Sequence, residues 1–266
     1  MKVLTTLLPF LLLILTACGD TPPAAETTPE AEAPPAASEY PAAISKVFAA
    51  HGGIDAWKEF RSLSYTMGSG DKKESQMLDL HNRRELIKQS GTTIGYDGEK
   101  SWVVAEGEYK GDPIFYRNLM FYFYAMPWVL ADPGIIYEDT EALVFDGETF
   151  PGIKISYNDG IGISPKDNYF LHYEEATGKM RWLGYTVTGR TGKASDKVKW
   201  IEYPTWSDHG GVELPDSLVW YTLEDNLPVA PRSTRVFSDV QMGKEAPSDE
   251  MFLMPEGATV YEADMR

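Results

Sequence analysis

From residue 62 onward the chain divides into short apolar or alternating runs, separated by compact clusters of Gly, Asn and Asp. Runs rich in Val, Ile, Thr, Tyr and Trp suit a pleated surface, and the clusters between them reverse the chain. Residues 62–67 read as a first strand. Residues 76–80 and 84–89 pair around His81-Asn82-Arg83, and residues 92–96 and 101–105 flank Asp97-Gly98-Glu99-Lys100. Residues 141–145 and 152–157 flank Asp146-Gly147, while 169–174 and 180–188 flank Ala176-Thr177-Gly178-Lys179. Residues 198–203 and 218–223 bracket His209-Gly210-Gly211, and 233–240 form a last long strand. Most of these connections are too short to hold crossover helices, so the pattern predicts an antiparallel meander or barrel, mainly β with a few helices.

The helical signals are few. Ile44, Val47 and Phe48 fall at helical spacing, and His51-Gly52-Gly53 then stops the helix. Glycine there suits the left-handed position that closes many helices. A short turn over 55–60 carries Trp57 and Phe60 toward the same core. Residues 114–130 are almost continuously apolar, with Phe115, Leu119, Met120, Phe123, Tyr124, Met126 and Trp128 prominent among them. The run lacks strand alternation and ends at Ala131-Asp132-Pro133-Gly134, so it reads as one helix. A helix apolar all round is either core or lines an apolar cavity, and those seven residues are the candidate cavity or lid positions. The segment is too short to span a bilayer as a straight helix.

The N-terminus predicts the compartment. Lys2 precedes an apolar run over 4–15, and Leu15-Thr16-Ala17-Cys18 follows. This reads as a secretory signal over 1–17. Small residues before a cysteine resemble the lipobox of bacterial lipoproteins, which implies cleavage after Ala17 and lipidation of Cys18. Cys18 is the sole cysteine of the chain, so an internal disulfide, a dithiol site and a cysteine–metal cluster are excluded. Residues 18–39 are dominated by Pro, Ala, Thr and Glu and read as a semi-extended tether. One β-rich domain over 40–266 follows. The formal net charge of −16 repels phosphate backbones and argues against a nucleic-acid partner. The expected setting is the bacterial cell envelope, most naturally the outer membrane, with the lipid anchor as the membrane contact.

The stretches Ala49-Ala50-His51-Gly52-Gly53-Ile54-Asp55-Ala56-Trp57, Ala125-Met126-Pro127-Trp128-Val129-Leu130-Ala131-Asp132-Pro133-Gly134 and Phe252-Leu253-Met254-Pro255-Glu256-Gly257-Ala258 carry a further resemblance. With an opening helix and a succession of antiparallel strands, the chain resembles the lipoprotein-localisation (Lol) carrier superfamily, closest to a branch of Bacteroidota lipoproteins. The resemblance implies an antiparallel half-barrel, its open side covered by helices, around an apolar cavity that takes a lipid or the acyl chains of a lipoprotein. It gives His51, Gly52, Gly53 and Trp57 a structural role.

Catalytic signatures are sparse. His51, His81, His172 and His209 show no zinc-ligand spacing, so no metal site is expected. A His-Gly-Gly could serve as an esterase oxyanion loop, but G-x-S-x-G is missing. Glu174 and Glu175, as strand neighbours, face opposite sides and do not form a carboxylate dyad. Asn158-Asp159-Gly160 reads as a turn rather than a calcium loop, and no nucleotide-binding glycine pattern occurs. Trp102, Tyr169, Tyr173, Trp182, Tyr185, Trp200, Tyr203, Trp206, Trp220 and Tyr221 could form an exposed sugar-stacking surface or, more simply, pack the sheet. The expected protein is a carrier or binder that is not an enzyme and needs no cofactor. Its rivals are an interaction lipoprotein with a filled core and an envelope hydrolase.

Overall fold

The computed structural model describes residues 39–158, 167–187 and 195–262. Cys18, the tether up to residue 38, the Asp159-Gly160 part of the expected turn and Thr188 at the end of the expected strand 180–188 lie outside the described residues. All those described belong to one compact unit, Ser38–Arg266.

Two helices open the unit: α1 (Ala42–Ala50) buries Ile44, Val47 and Phe48, and α2 (Ile54–Lys58) buries Trp57. Five strands follow as a meander: β1 (Ser62–Met67), β2 (Glu74–Asp79), β3 (Glu85–Gln89), β4 (Thr92–Tyr96) and β5 (Ser101–Ala105). Helix α3 (Pro113–Tyr124) then leads into β6 (Ile135–Phe145), β7 (Glu148–Tyr157), β8 (Tyr169–Tyr173), β9 (Met180–Tyr185) and β10 (Lys199–Glu202). A small hairpin, β11 (Trp206–Asp208) and β12 (Glu213–Pro215), stands apart from the main sheet. The chain ends with β13 (Ser217–Glu224), β14 (Leu227–Gly243) and β15 (Thr259–Tyr261).

The main sheet has 13 strands in the order β15-β5-β4-β3-β2-β1-β14-β13-β10-β9-β8-β7-β6, antiparallel throughout. Its two end strands, β15 and β6, do not pair, so the sheet is open. Strand β14 joins its halves. Residues 227–236 pair with β13, and residues 237–243 pair with β1. A sheet this wide does not stay flat. Tyr65 and Leu78 of the first half and Ile155, Leu171, Leu183 and Ile201 of the second belong to one buried core with α1 and α3. The sheet therefore curls around α3, as an incomplete barrel does.

Alternation assigns the other face. Leu86, Gly95 and Trp102 lie in one cross-strand row, with Phe252 of the C-terminal segment packed on Leu86 and Trp102. The Trp102 indole N–H donates to the Phe252 carbonyl at 3.1 Å. A Cβ on Gly95 would stand 2.1 Å from the Trp102 ring, so glycine is required for the indole to lie flat on β4. Ile87, Ile94 and Val103, in a neighbouring row, face α3 with Tyr116. A separate cluster of Leu143, Phe150, Trp182 and Trp200 packs the second half. None of the strand aromatics considered above is exposed, which favours packing over a stacking surface.

Three expectations need correction. The run 114–130 is not one helix: α3 ends at Tyr124, and a 3-10 turn follows over Trp128–Ala131. Pro127 lacks an amide hydrogen and disfavours helical backbone at the residue before it, so Met126 and Trp128 leave the helix. Strand β14 starts at Leu227 rather than 233, because bulges opposite Trp220/Tyr221 and Thr222/Leu223 admit Pro228 and Pro231. Strand β6 starts at Ile135 rather than 141. As an edge strand it tolerates the polar stretch Glu138-Asp139-Thr140 that masks it in the sequence.

Candidate functional site

Helix α3 exists because its ends are specified. The Asp112 carboxylate accepts from the Ile114 and Phe115 amides, both at 3.0 Å, and Pro113 occupies the first turn. The helix lies between the halves of the sheet, and its two ends differ. Toward its C-terminus packing is solid: Tyr124 stacks on Phe237 at 3.9 Å between centroids and meets Tyr65 at 4.3 Å. Along the rest of the helix a cavity of about 270 Å³ remains.

Phe115, Leu119, Tyr122 and Phe123 line this cavity from the helix. Tyr157, Tyr169, Tyr185 and Val187 form the wall from the second half of the sheet. The Tyr122 and Tyr157 hydroxyls are hydrogen-bonded to each other, and the Tyr122 ring lies 5.3 Å from that of Tyr169. The wall from the first half is Leu78, Arg83 and Glu85, with Arg117 beside them on the helix. Arg83 donates to both Asp132 oxygens at 2.7 and 2.9 Å. The same two side chains also border a second cleft of about 360 Å³, lined by Trp57, Phe60, Leu80 and Trp128. The Arg83–Asp132 pair thus stands where the two spaces meet.

Glu85 is 3 % exposed, and its Oε1 has no hydrogen-bond partner. Burial, with Glu74 adding repulsion, pushes its carboxyl well above the ordinary 4.5, against the opposing pull of Arg117. The Arg117 Nε donates to Ser101 Oγ at 3.1 Å, and the guanidinium carbon sits 3.8 Å over the Tyr96 ring. Burial lowers its pKa, opposed by Glu85. The pocket is therefore largely apolar, with the Glu85 carboxyl and the Arg83 and Arg117 guanidiniums on one wall.

The seven candidate positions separate. Phe115, Leu119 and Phe123 line the cavity, and Trp128 lines the second cleft. Met120, Tyr124 and Met126 are buried in the core. Strand residues such as Tyr157, Tyr169 and Tyr185 were not expected at the site, since nothing in a strand's own sequence says which helix will cover it. Phe121 and Tyr122 lie in the same apolar run and could have been included on that ground.

The two His-Gly-Gly sequences meet in space, away from the cavity lining. A Cβ on Gly52 would fall 2.0 Å from the Gly211 carbonyl oxygen, and the Gly52 φ is +115°. The Glu213 amide donates to the His51 carbonyl at 2.9 Å, and the Trp128 indole N–H donates to the Glu213 carbonyl at 3.1 Å. His51 Nδ1 lies 2.8 Å from the Val47 carbonyl, so the neutral ring donates there. Its ring meets Trp206 edge-on at 4.2 Å, and burial lowers its pKa to about 4. Gly53, in positive φ, precedes α2, and Trp57 stacks on Trp128 at 5.4 Å. This junction ties the N-terminal helices to the β11–β12 hairpin. Among the described residues no group of His, Cys, Asp and Glu could hold a metal ion.

No family model matches the chain, and no curated protein does either. Among solved structures, it is similar to a LolA superfamily protein from Nitrosomonas europaea, at 12 % identity and a TM-score of 0.45, over 76 % of this chain and 96 % of that one. It is also similar to a DUF1329 family protein from Desulfovibrio piger, at 10 % identity and a TM-score of 0.44, over 75 % and 92 % of the two chains.

Proposed function

We propose that this protein is a lipid-anchored component of the bacterial cell envelope that binds one hydrophobic chain in the cavity beside α3. The observation that carries the reading is the cavity itself: space lined by Leu119, Phe123, Tyr169 and Val187 where close packing is the rule. Apolar transfer into such a space is favourable by about 0.8 kcal/mol per methylene and needs no directed bonds. The volume limits the occupant. An apolar cavity of roughly 150 Å³ accepts benzene, so about 270 Å³ corresponds to roughly ten carbon atoms. The several acyl chains of a mature lipoprotein exceed that unless α3 moves. Binding of a single chain is therefore preferred to lipoprotein transport.

The anchor part of the reading rests on Leu15-Thr16-Ala17-Cys18 and the tether after it. One acyl chain binds membranes only marginally, so multiple acylation of Cys18 is the physically sufficient form. A second reading, an interaction lipoprotein filled by its own side chains, is supported by the ring-packed end of α3.

Native mass spectrometry of the full chain, incubated separately with medium-chain amphiphiles, phospholipids and acylated peptides, tests the proposal. One bound single-chain molecule is expected. Leu119→Trp, which places an indole in the cavity, should abolish uptake while the protein stays folded. Absence of uptake by the unaltered protein would leave the filled-core reading.

A further inference from the structure

The polar wall of the cavity has the chemistry of a head-group site. Arg117 lines the cavity, and among the described residues it forms no ion pair. Its recorded partners there are the Ser101 hydroxyl and the Tyr96 ring, which leave the terminal nitrogens of the guanidinium without a hydrogen-bond partner. A guanidinium set in a largely apolar cleft with no carboxylate within ion-pair distance is costly, and an anion arriving with a ligand relieves that cost. Glu85 lines the same wall, is 3 % exposed and has an unpartnered oxygen. Burial raises its carboxyl well above the ordinary carboxylate range, which favours the protonated form, and that form can donate one O–H bond. The other charged groups lining the cavity are differently placed: Asp132 is held by Arg83, and Asp167 lies with Tyr157 and Tyr169 on the wall from the second half of the sheet.

We propose that the occupant is a straight-chain monocarboxylic acid of about ten carbons, its carboxylate on Arg117 and Glu85 and its chain along Leu119, Tyr122 and Phe123. A planar carboxylate can take two parallel N–H bonds from a guanidinium, and it can accept the acid proton of Glu85 as a third bond. A single negative charge balances the single positive charge of Arg117. A phosphate monoester would bring a larger charge to a wall whose other guanidinium, Arg83, is already paired with Asp132. The inference rests on the cavity being a binding site, and the test separates failure of the two.

Calorimetry on the full chain with decanoate, 1-decanol and decyl phosphate provides that test. Decanoate should bind at least tenfold more tightly than decanol. Arg117→Gln should bring the acid-to-alcohol affinity ratio to within about twofold of one, and Arg117→Lys should retain part of the preference. The comparison of ligands on the unaltered protein needs no variant to fold. Equal affinity for acid and alcohol would overturn the head-group assignment while leaving the cavity a binding site. Decyl phosphate binding as tightly as decanoate would overturn the choice of carboxylate. Binding of none of the three would remove both the head-group site and the reading it rests on.

Discussion

At the scale of single residues, burial sets opposing pH dependences. His51 and His172 are both lowered by burial to about 4 from 6.5. Above pH 6.5 each ring is neutral in folded and unfolded chains alike, and neither costs stability. As pH falls from 6.5 toward 4 the unfolded chain takes up protons that the folded chain refuses, so stability drops, by about 3 kcal/mol per histidine at the limit. His172 Nδ1 lies 3.3 Å from the Leu143 amide nitrogen and 3.2 Å from the Phe150 carbonyl, so it accepts from the first when bare and donates to the second when protonated, which opposes the burial effect only in part. His172→Phe should therefore be less stable at pH 7 yet decline less between pH 6.5 and 4 in urea unfolding. A decline as steep as that of the parent protein would contradict the assignment. Glu85 has the opposite sign. Its folded pKa is raised, so its contribution is fully present below 4.5 and is lost as pH rises above that value. Glu85→Gln removes the ionisation and should raise the thermal midpoint at pH 7 by at least about 2 °C, the effect of about 1 kcal/mol in a domain of this size. At pH 4 the two proteins should melt together.

At the scale of elements, α3 controls the cavity. Its start depends on Asp112, whose carboxylate satisfies two of the amides that a helix leaves unbonded. Asp112→Ala should cost about 1 kcal/mol in denaturant unfolding, and Asp112→Asn should recover most of it. Because the first turn carries Phe115 at the cavity, the alanine variant should also show faster amide exchange over 114–117. The helix was legible as an apolar segment with its stop signals. Its lower end was not, because continuous apolarity through Trp128 hides the effect of Pro127 until the backbone is followed.

At the scale of the whole molecule, two distant glycines fix the N-terminal helices to the hairpin after β10. The Gly52 backbone lies against the Gly211 carbonyl with no room for a methyl group. Gly52→Ala combines that clash with an unfavourable positive φ and should cost about 3 kcal/mol or more. Gly53→Ala meets no neighbouring atom and bears only the φ cost, so it should be the milder variant by thermal melting. Equal losses would mean that the Gly211 contact carries no weight. The junction also bears on function, since Trp128 spans from Glu213 to the cleft that shares the Arg83–Asp132 pair with the main cavity.

The amino-acid sequence determined the class of fold. Alternating runs and tight turns permit hardly anything but antiparallel neighbours, and β1, β4 and β5 start and stop where their own residues dictate. Local steric and hydrogen-bonding preferences act within a few residues, so they are written in the chain. The site was decided elsewhere. Glu85 reads as one more strand carboxylate and Tyr169 as one more aromatic until β14 joins the halves and the sheet curls around α3. Only that long-range pairing brings residues 85, 117 and 169 around one space, and distance along the chain carries no record of it.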